Sequence, residues 1–92
     1  MWSPRAEIDL FQIMEFYKKR NGNSNYSARI YSRIKRALII LKQFPGIGAN
    51  TDILNVKNLI LGEFCLFYKI ENNSIEILSV WDSKQNPENL NL

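Results

Sequence analysis

The strongest constraint on this chain is a pair of extended segments, residues 64–71 and 74–82, joined by a pair of asparagines. Phe64, Leu66, Tyr68 and Ile70 recur at every second position, which in extended backbone sets all four on one face. Asn72-Asn73 follows, and asparagine accepts positive φ better than most residues, so the pair reads as a two-residue hairpin turn. Ser74–Asp82 is then the returning strand, and Gly62-Glu63 turns the chain into Phe64–Glu71. The wholly apolar or aromatic face packs inward. The opposite face, Cys65, Phe67, Lys69 and Glu71, is half polar and is a candidate binding surface.

A two-stranded hairpin is marginal in water and needs cover. The cover lies upstream. Ser3-Pro4 is a helix start, with serine accepting from orphan N–H groups and proline at the first helical position. Ala6, Leu10, Ile13 and Tyr17 follow at helical spacing with Phe11 and Met14 beside them, predicting a helix to about Lys19. Asn21 to Asn25 is a turn, and a second helix runs from about Asn25 to Gln43 with Ile30, Ile34, Leu38 and Leu41 as its stripe and Ala37 allowing close approach. So short a connection makes an antiparallel helical hairpin. Phe44-Pro45-Gly46-Ile47-Gly48 ends it, the loop continues to about Asp52, and Ile53–Leu61 is a further strand candidate. The expected fold class is α+β, a helical hairpin on a small antiparallel sheet. Residues 1–92 read as one domain, with a polar tail at 83–92.

Composition narrows the function. Hydrophobic residues make up 46% of 92, enough for a globular core, of which a chain this size buries roughly 60–65% of its unfolded surface. The net charge of +3 permits an anionic partner without requiring one. There is no histidine and a single cysteine, so no zinc site, no internal disulfide and no cofactor is expected. Gly46 and Gly48 fit neither a phosphate loop nor a dinucleotide fingerprint. The longest apolar run, Ala37–Leu41, is far below the roughly 20 residues of a membrane span, nothing resembles a signal peptide, and the expected location is the cytoplasm.

Arg29, Arg33 and Arg36 recur at i, i+4 and i+7 and share a helical face, either an anion-binding ridge or a solvated back. Lys57, Lys69 and Lys84 are candidates for a phosphate-binding surface, and Trp81 reads as a core or edge anchor. Cys65 reads as a small buried hydrophobe, since no histidine exists to activate it.

The order of these elements, with Trp2-Ser3-Pro4, Ala6, Asp9-Leu10, Tyr17, Ala28, Ile34, Pro45, Gly48, Gly62-Glu63-Phe64, Tyr68, Ile75–Val80, Gln85-Asn86-Pro87 and Leu90, resembles the RelE/ParE toxins of bacterial type II toxin–antitoxin systems over nearly the whole chain. The resemblance implies an antitoxin partner. It also implies one of two activities: cleavage of mRNA on the ribosome, as in RelE-like members, or poisoning of DNA gyrase, as in ParE-like members. Two departures bear on the choice. Family members usually carry a short strand before Trp-Ser-Pro, whereas Trp2 here follows Met1 directly, so the start lies upstream or the first strand is short or missing. Cys65 stands where the family commonly places an arginine, and Lys84 likewise replaces arginine.

Cutting RNA through its 2′-hydroxyl requires a base, a leaving-group acid and fixed positive charge on the phosphate. The inventory for that chemistry is reduced to Lys84, Lys57, Tyr68 and Glu63. The expectation is therefore ParE-like, growth inhibition by protein–protein contact with gyrase. A ribosome-dependent endoribonuclease or an inactive toxin fold that only binds its antitoxin are the alternatives. Partner-contact candidates are Cys65, Phe67, Lys69, Arg29, Arg33, Arg36, Lys84 and Asn86, with the groove beside the helices as a second docking surface.

Overall fold

A computed structural model describes residues 1–84. Two helices, α1 (Pro4–Asn21) and α2 (Asn25–Gln43), pack on one face of a sheet of four antiparallel strands. The strands are β1 (Ala49–Asn50), β2 (Val56–Leu61), β3 (Phe64–Glu71) and β4 (Ser74–Asp82), in spatial order β1-β2-β3-β4. The polar tail beyond Lys84, including Asn86, lies outside the described residues.

The helix boundaries follow from local chemistry. The Ser3 side chain accepts from the Ala6 N–H, Pro4 occupies the first helical position, and Gly22 closes α1 in the left-handed region at φ 73° while donating to the Lys18 carbonyl. Ala6, Leu10, Ile13 and Tyr17 are buried, and so are Ile30, Ile34, Ala37 and Leu41 of α2. Leu38 is only partly covered and Phe11 is 64% exposed. Across the sheet, Phe64, Leu66, Tyr68, Ile77 and Val80 complete the core.

Asn72 and Asn73 turn β3 into β4 with φ of 51° and 63°, both left-handed, as a two-residue turn matched to strand twist requires. Four details depart from expectation. The strand predicted at Ile53–Leu61 begins only at Val56, because Ile53–Asn55 forms a turn: Val56 N–H donates to the Ile53 carbonyl and Asn55 sits at φ 66°. Ala49–Asn50, read as loop, pairs with Asn58 and Lys57. The two-residue repeat of a regular strand is interrupted in β4 at Leu78, an extra residue between Ile77, opposite Tyr68, and Ser79, opposite Phe67. Finally, Phe67, expected on an open half-polar face, is buried at 7% exposure.

At the other edge of the sheet, Trp2 forms a single parallel bridge with Ile77. Met1 O accepts from Ile77 N, Ser3 N donates to Ile77 O, and the Met1 amino group donates to Ile75 O. Farther along the same edge, Ser3 Oγ donates to Leu78 O, and Asp9 Oδ2 accepts from Val80 N–H at 3.2 Å and from Ser79 Oγ at 2.8 Å. The start of α1 thus occupies the edge of β4 that would otherwise present unpaired backbone.

Candidate functional site

The chemistry-bearing residues gather at separate places. The first is the corner where α1 ends, α2 begins and β4 leaves the sheet. Tyr17 Oη donates to Asp82 Oδ2 at 2.5 Å, and Asp82 Oδ1 accepts from the Lys84 backbone N–H at 3.0 Å. Lys84 Nζ lies 2.9 Å from Glu63 Oε2, which also accepts from Tyr26 Oη at 3.4 Å, and Ser83 N–H donates to the Glu63 carbonyl. The rings of Tyr17 and Tyr26 meet edge to face at 4.7 Å, and the Lys84 ammonium sits over the Tyr17 ring.

At this corner Glu63 and Lys84 compensate each other's charge, while Asp82 is held by a hydroxyl and a backbone N–H. The hydrogen bond from Lys84 holds the Glu63 carboxyl below the usual carboxylate range, and that same bond raises the Lys84 ammonium above its ordinary value. Burial, reinforced by donation to Asp82, pushes the Tyr17 hydroxyl well above the ordinary phenol range.

The second place is the loop after α2. Tyr68 is fully buried. Its hydroxyl donates to the Pro45 carbonyl at 2.7 Å and accepts from the Gly48 N–H at 2.9 Å, so it anchors this loop to the sheet. Lys57, opposite Tyr68 in the β2–β3 ladder, donates to Asn50 Oδ1 at 2.7 Å. Because Lys57 lies level with Tyr68 and Asp82 level with Phe64, Lys57 and Asp82 are separated by four positions along β3, about 13 Å, and Lys84 lies two residues beyond Asp82. The four residues singled out for chemistry therefore divide into two pairs, Glu63 with Lys84 and Lys57 with Tyr68, at different ends of the sheet.

The face away from the helices carries Cys65 between Ile60 and Trp81, and Phe67 between Asn58 and Ser79. Cys65 is half-buried, and Lys69 is paired with Glu71 at 3.1 Å. Two buried polar atoms here, Asn58 Oδ1 and Trp81 Nε1, have no hydrogen-bond partner among the described residues. Arg29, Arg33 and Arg36 are exposed along one flank of α2.

Sequence reasoning named the groove beside the helices but not its lining. The groove is mainly apolar, about 330 Å³, bounded by Leu10, Phe11 and Met14 of α1 and Tyr31, Lys35 and Leu38 of α2. Its rim exposes Phe11 at 64% and Tyr31 at 45%, with the Lys35 ammonium over the Tyr31 ring. The available signal was Phe11 itself, an aromatic lying beside rather than on the apolar stripe of α1. None of the described helices is long and apolar enough to cross a membrane, and no cluster of potential metal ligands occurs among the described residues.

Comparison with known proteins gives a consistent result. Residues 1–87 match the family described as "ParE toxin of type II toxin-antitoxin system, parDE". Among solved structures, the fold is similar to a chain of a "Chromosomal ParDE TA system from P. aeruginosa", with a TM-score of 0.77 and 22% identity over 88% of this chain and 90% of that chain.

Proposed function

This chain belongs to the ParE toxin family of type II toxin–antitoxin systems, and on that basis we propose that it inhibits bacterial growth from the cytoplasm by binding a protein target, DNA gyrase, until a cognate antitoxin neutralises it. The family match across 1–87 carries the reading. The arrangement of side chains supports contact rather than chemistry. Lys84 and Glu63 neutralise each other, the Tyr68 hydroxyl is spent on Pro45 and Gly48, and Lys57 lies at the other end of the sheet from Lys84. At one end a phosphodiester would meet Lys84 and Arg33 beside a Glu63 carboxyl held below the usual carboxylate range and so a poor base, and at the other end Lys57 alone, short of the base, acid and fixed charge that cleavage requires. The antitoxin docks an amphipathic helix in the groove between α1 and α2, where Phe11 and Tyr31 offer aromatic anchors. Such modules stabilise the plasmid or chromosome that carries them.

The test is induced expression without antitoxin in a bacterial host, with DNA and protein synthesis followed in parallel by pulse labelling. An early fall in DNA synthesis with a DNA-damage response supports gyrase poisoning. An early fall in protein synthesis with cleaved mRNA, abolished by Lys84→Ala and Lys57→Ala with antitoxin binding intact, establishes the RelE-like endoribonuclease instead. Growth unaffected by folded protein identifies a toxin fold that only binds its antitoxin.

A further inference from the structure

The outer edge of β2 is only half covered. Ile70 N–H donates to the Asn55 carbonyl, and the register makes these two residues direct partners. By the alternation of an antiparallel ladder, Lys57, Leu59 and Leu61 then bond to β3, while Val56, Asn58 and Ile60 direct their backbone groups outward. Val56 N–H is taken by the Ile53 carbonyl and its carbonyl by Thr51 Oγ1, and Asn58 is paired with Ala49. Ile60 has no strand partner on that side among the described residues, and its side chain is 64% exposed. The edge therefore presents one free N–H and one free C=O beside an uncovered apolar side chain.

One flank of α2 reaches the end of this edge through Arg33. Arg33, Arg36 and Ile40 follow at helical spacing on the side of α2 away from the groove shared with α1, and all three are exposed. The Arg33 guanidinium lies 3.1 Å from where a Cβ on Gly62 would stand, at the end of β2. The loop after α2 is held level with Lys57 through Tyr68. Hence α2 runs antiparallel to β2, with its arginines over the uncovered end. None of Arg29, Arg33 and Arg36 makes a salt bridge among the described residues.

We propose that this edge binds an extended acidic peptide as a further strand beside β2, with carboxylates on alternate residues facing Arg33 and Arg36. About four residues span the stretch from Leu59 to Gly62. The pattern selects a peptide over a nucleic-acid strand, because the edge offers an acceptor as well as a donor and is flanked by Ile40 and Ile60. It disfavours a second copy of this chain, because two-fold pairing of β2 edges brings like-charged arginine flanks together.

The test uses the full-length protein and blocked octapeptides in which glutamate alternates with valine, isoleucine or leucine, binding being read by fluorescence anisotropy. The peptides are expected to bind with new protection of the Ile60 amide against hydrogen exchange. Ile60→Pro, tolerated on a strand edge with its N–H outward, is expected to weaken binding at least tenfold, and R33E with R36E at least tenfold, with circular dichroism unchanged. Lysine-for-glutamate peptides and versions N-methylated at alternate amides are expected not to bind. The proposal is overturned if no acidic peptide binds, if the N-methylated version binds equally well, if Ile60→Pro folds and binds normally, if oligothymidylate binds in place of the peptides, or if the free protein self-associates with Ile60 protected.

Discussion

The Tyr17 hydroxyl reaches across 65 positions of sequence to donate a hydrogen bond to the buried carboxylate of Asp82. The pair fastens the last turns of α1 to the end of β4 and leaves Asp82 free to hold the Lys84 amide with its other oxygen. Tyr17→Phe keeps the ring but strips a buried carboxylate of its donor, and a loss of about 1–3 kcal/mol is expected in urea unfolding.

The same pair makes the protein alkali-sensitive. With the folded-state hydroxyl raised above its unfolded value of about 10, the contribution is fully present below pH ~10 and is lost as pH rises beyond it, since the unfolded chain releases the proton first. Unfolding free energies measured from pH 8 to 12 are expected to fall more steeply in the wild type than in Tyr17→Phe. Parallel curves would refute this.

Asp9 binds α1 to the edge of β4 through Ser79 Oγ and Val80 N–H while pairing with Arg5 at 3.0 Å. Asp9→Ala orphans two groups on a covered strand edge and is expected to cost about 1–3 kcal/mol, whereas Asp9→Asn retains an acceptor and costs less. Arg5→Ala, which removes the exposed ion pair alone, is expected to cost under about 1 kcal/mol. Thermal unfolding of the three variants gives the ranking.

Gly48 approaches Tyr68 so closely that an added Cβ would stand 2.7 Å from its hydroxyl. Gly48→Ala must displace the loop or the ring, at about 1–3 kcal/mol. Tyr68→Phe removes the latch and the nearest obstacle, while the ring carbon at 2.9 Å and the Asn58 carbonyl at 3.1 Å remain. The double variant is expected to be less destabilised than the sum of the two, and strict additivity in a double-mutant cycle would show that the contact carries no strain.

At the β3–β4 turn, Asn72→Val and Asn73→Val place a branched side chain at positive φ and are each expected to cost about 1–2 kcal/mol. Asn73→Gly is expected to leave stability within about 0.5 kcal/mol. Equal urea midpoints for the valine and glycine variants would contradict the turn assignment.

Local chemistry alone determined a good part of this molecule. The Ser3-Pro4 start, the stripes of both helices, the inward face of β3 and the asparagine turn each follow from spacing or from φ preference, which act over a few residues and are visible in the chain. The tertiary structure decided what depends on distant partners. The extra residue at Leu78 shifts the phase of β4, so Val80 and Asp82 face inward where strict alternation from Ile75 and Ile77 selects Ser79 and Trp81. Residues 1–3 pair with β4 although too few to read as a strand, because the edge of β4 supplies the hydrogen bonds they lack on their own. Strand register likewise separated Lys57 from Lys84 and brought Tyr17 to Asp82. Register is a property of paired strands, set by the satisfaction of backbone groups and the fit of the core, and no single segment of sequence contains it.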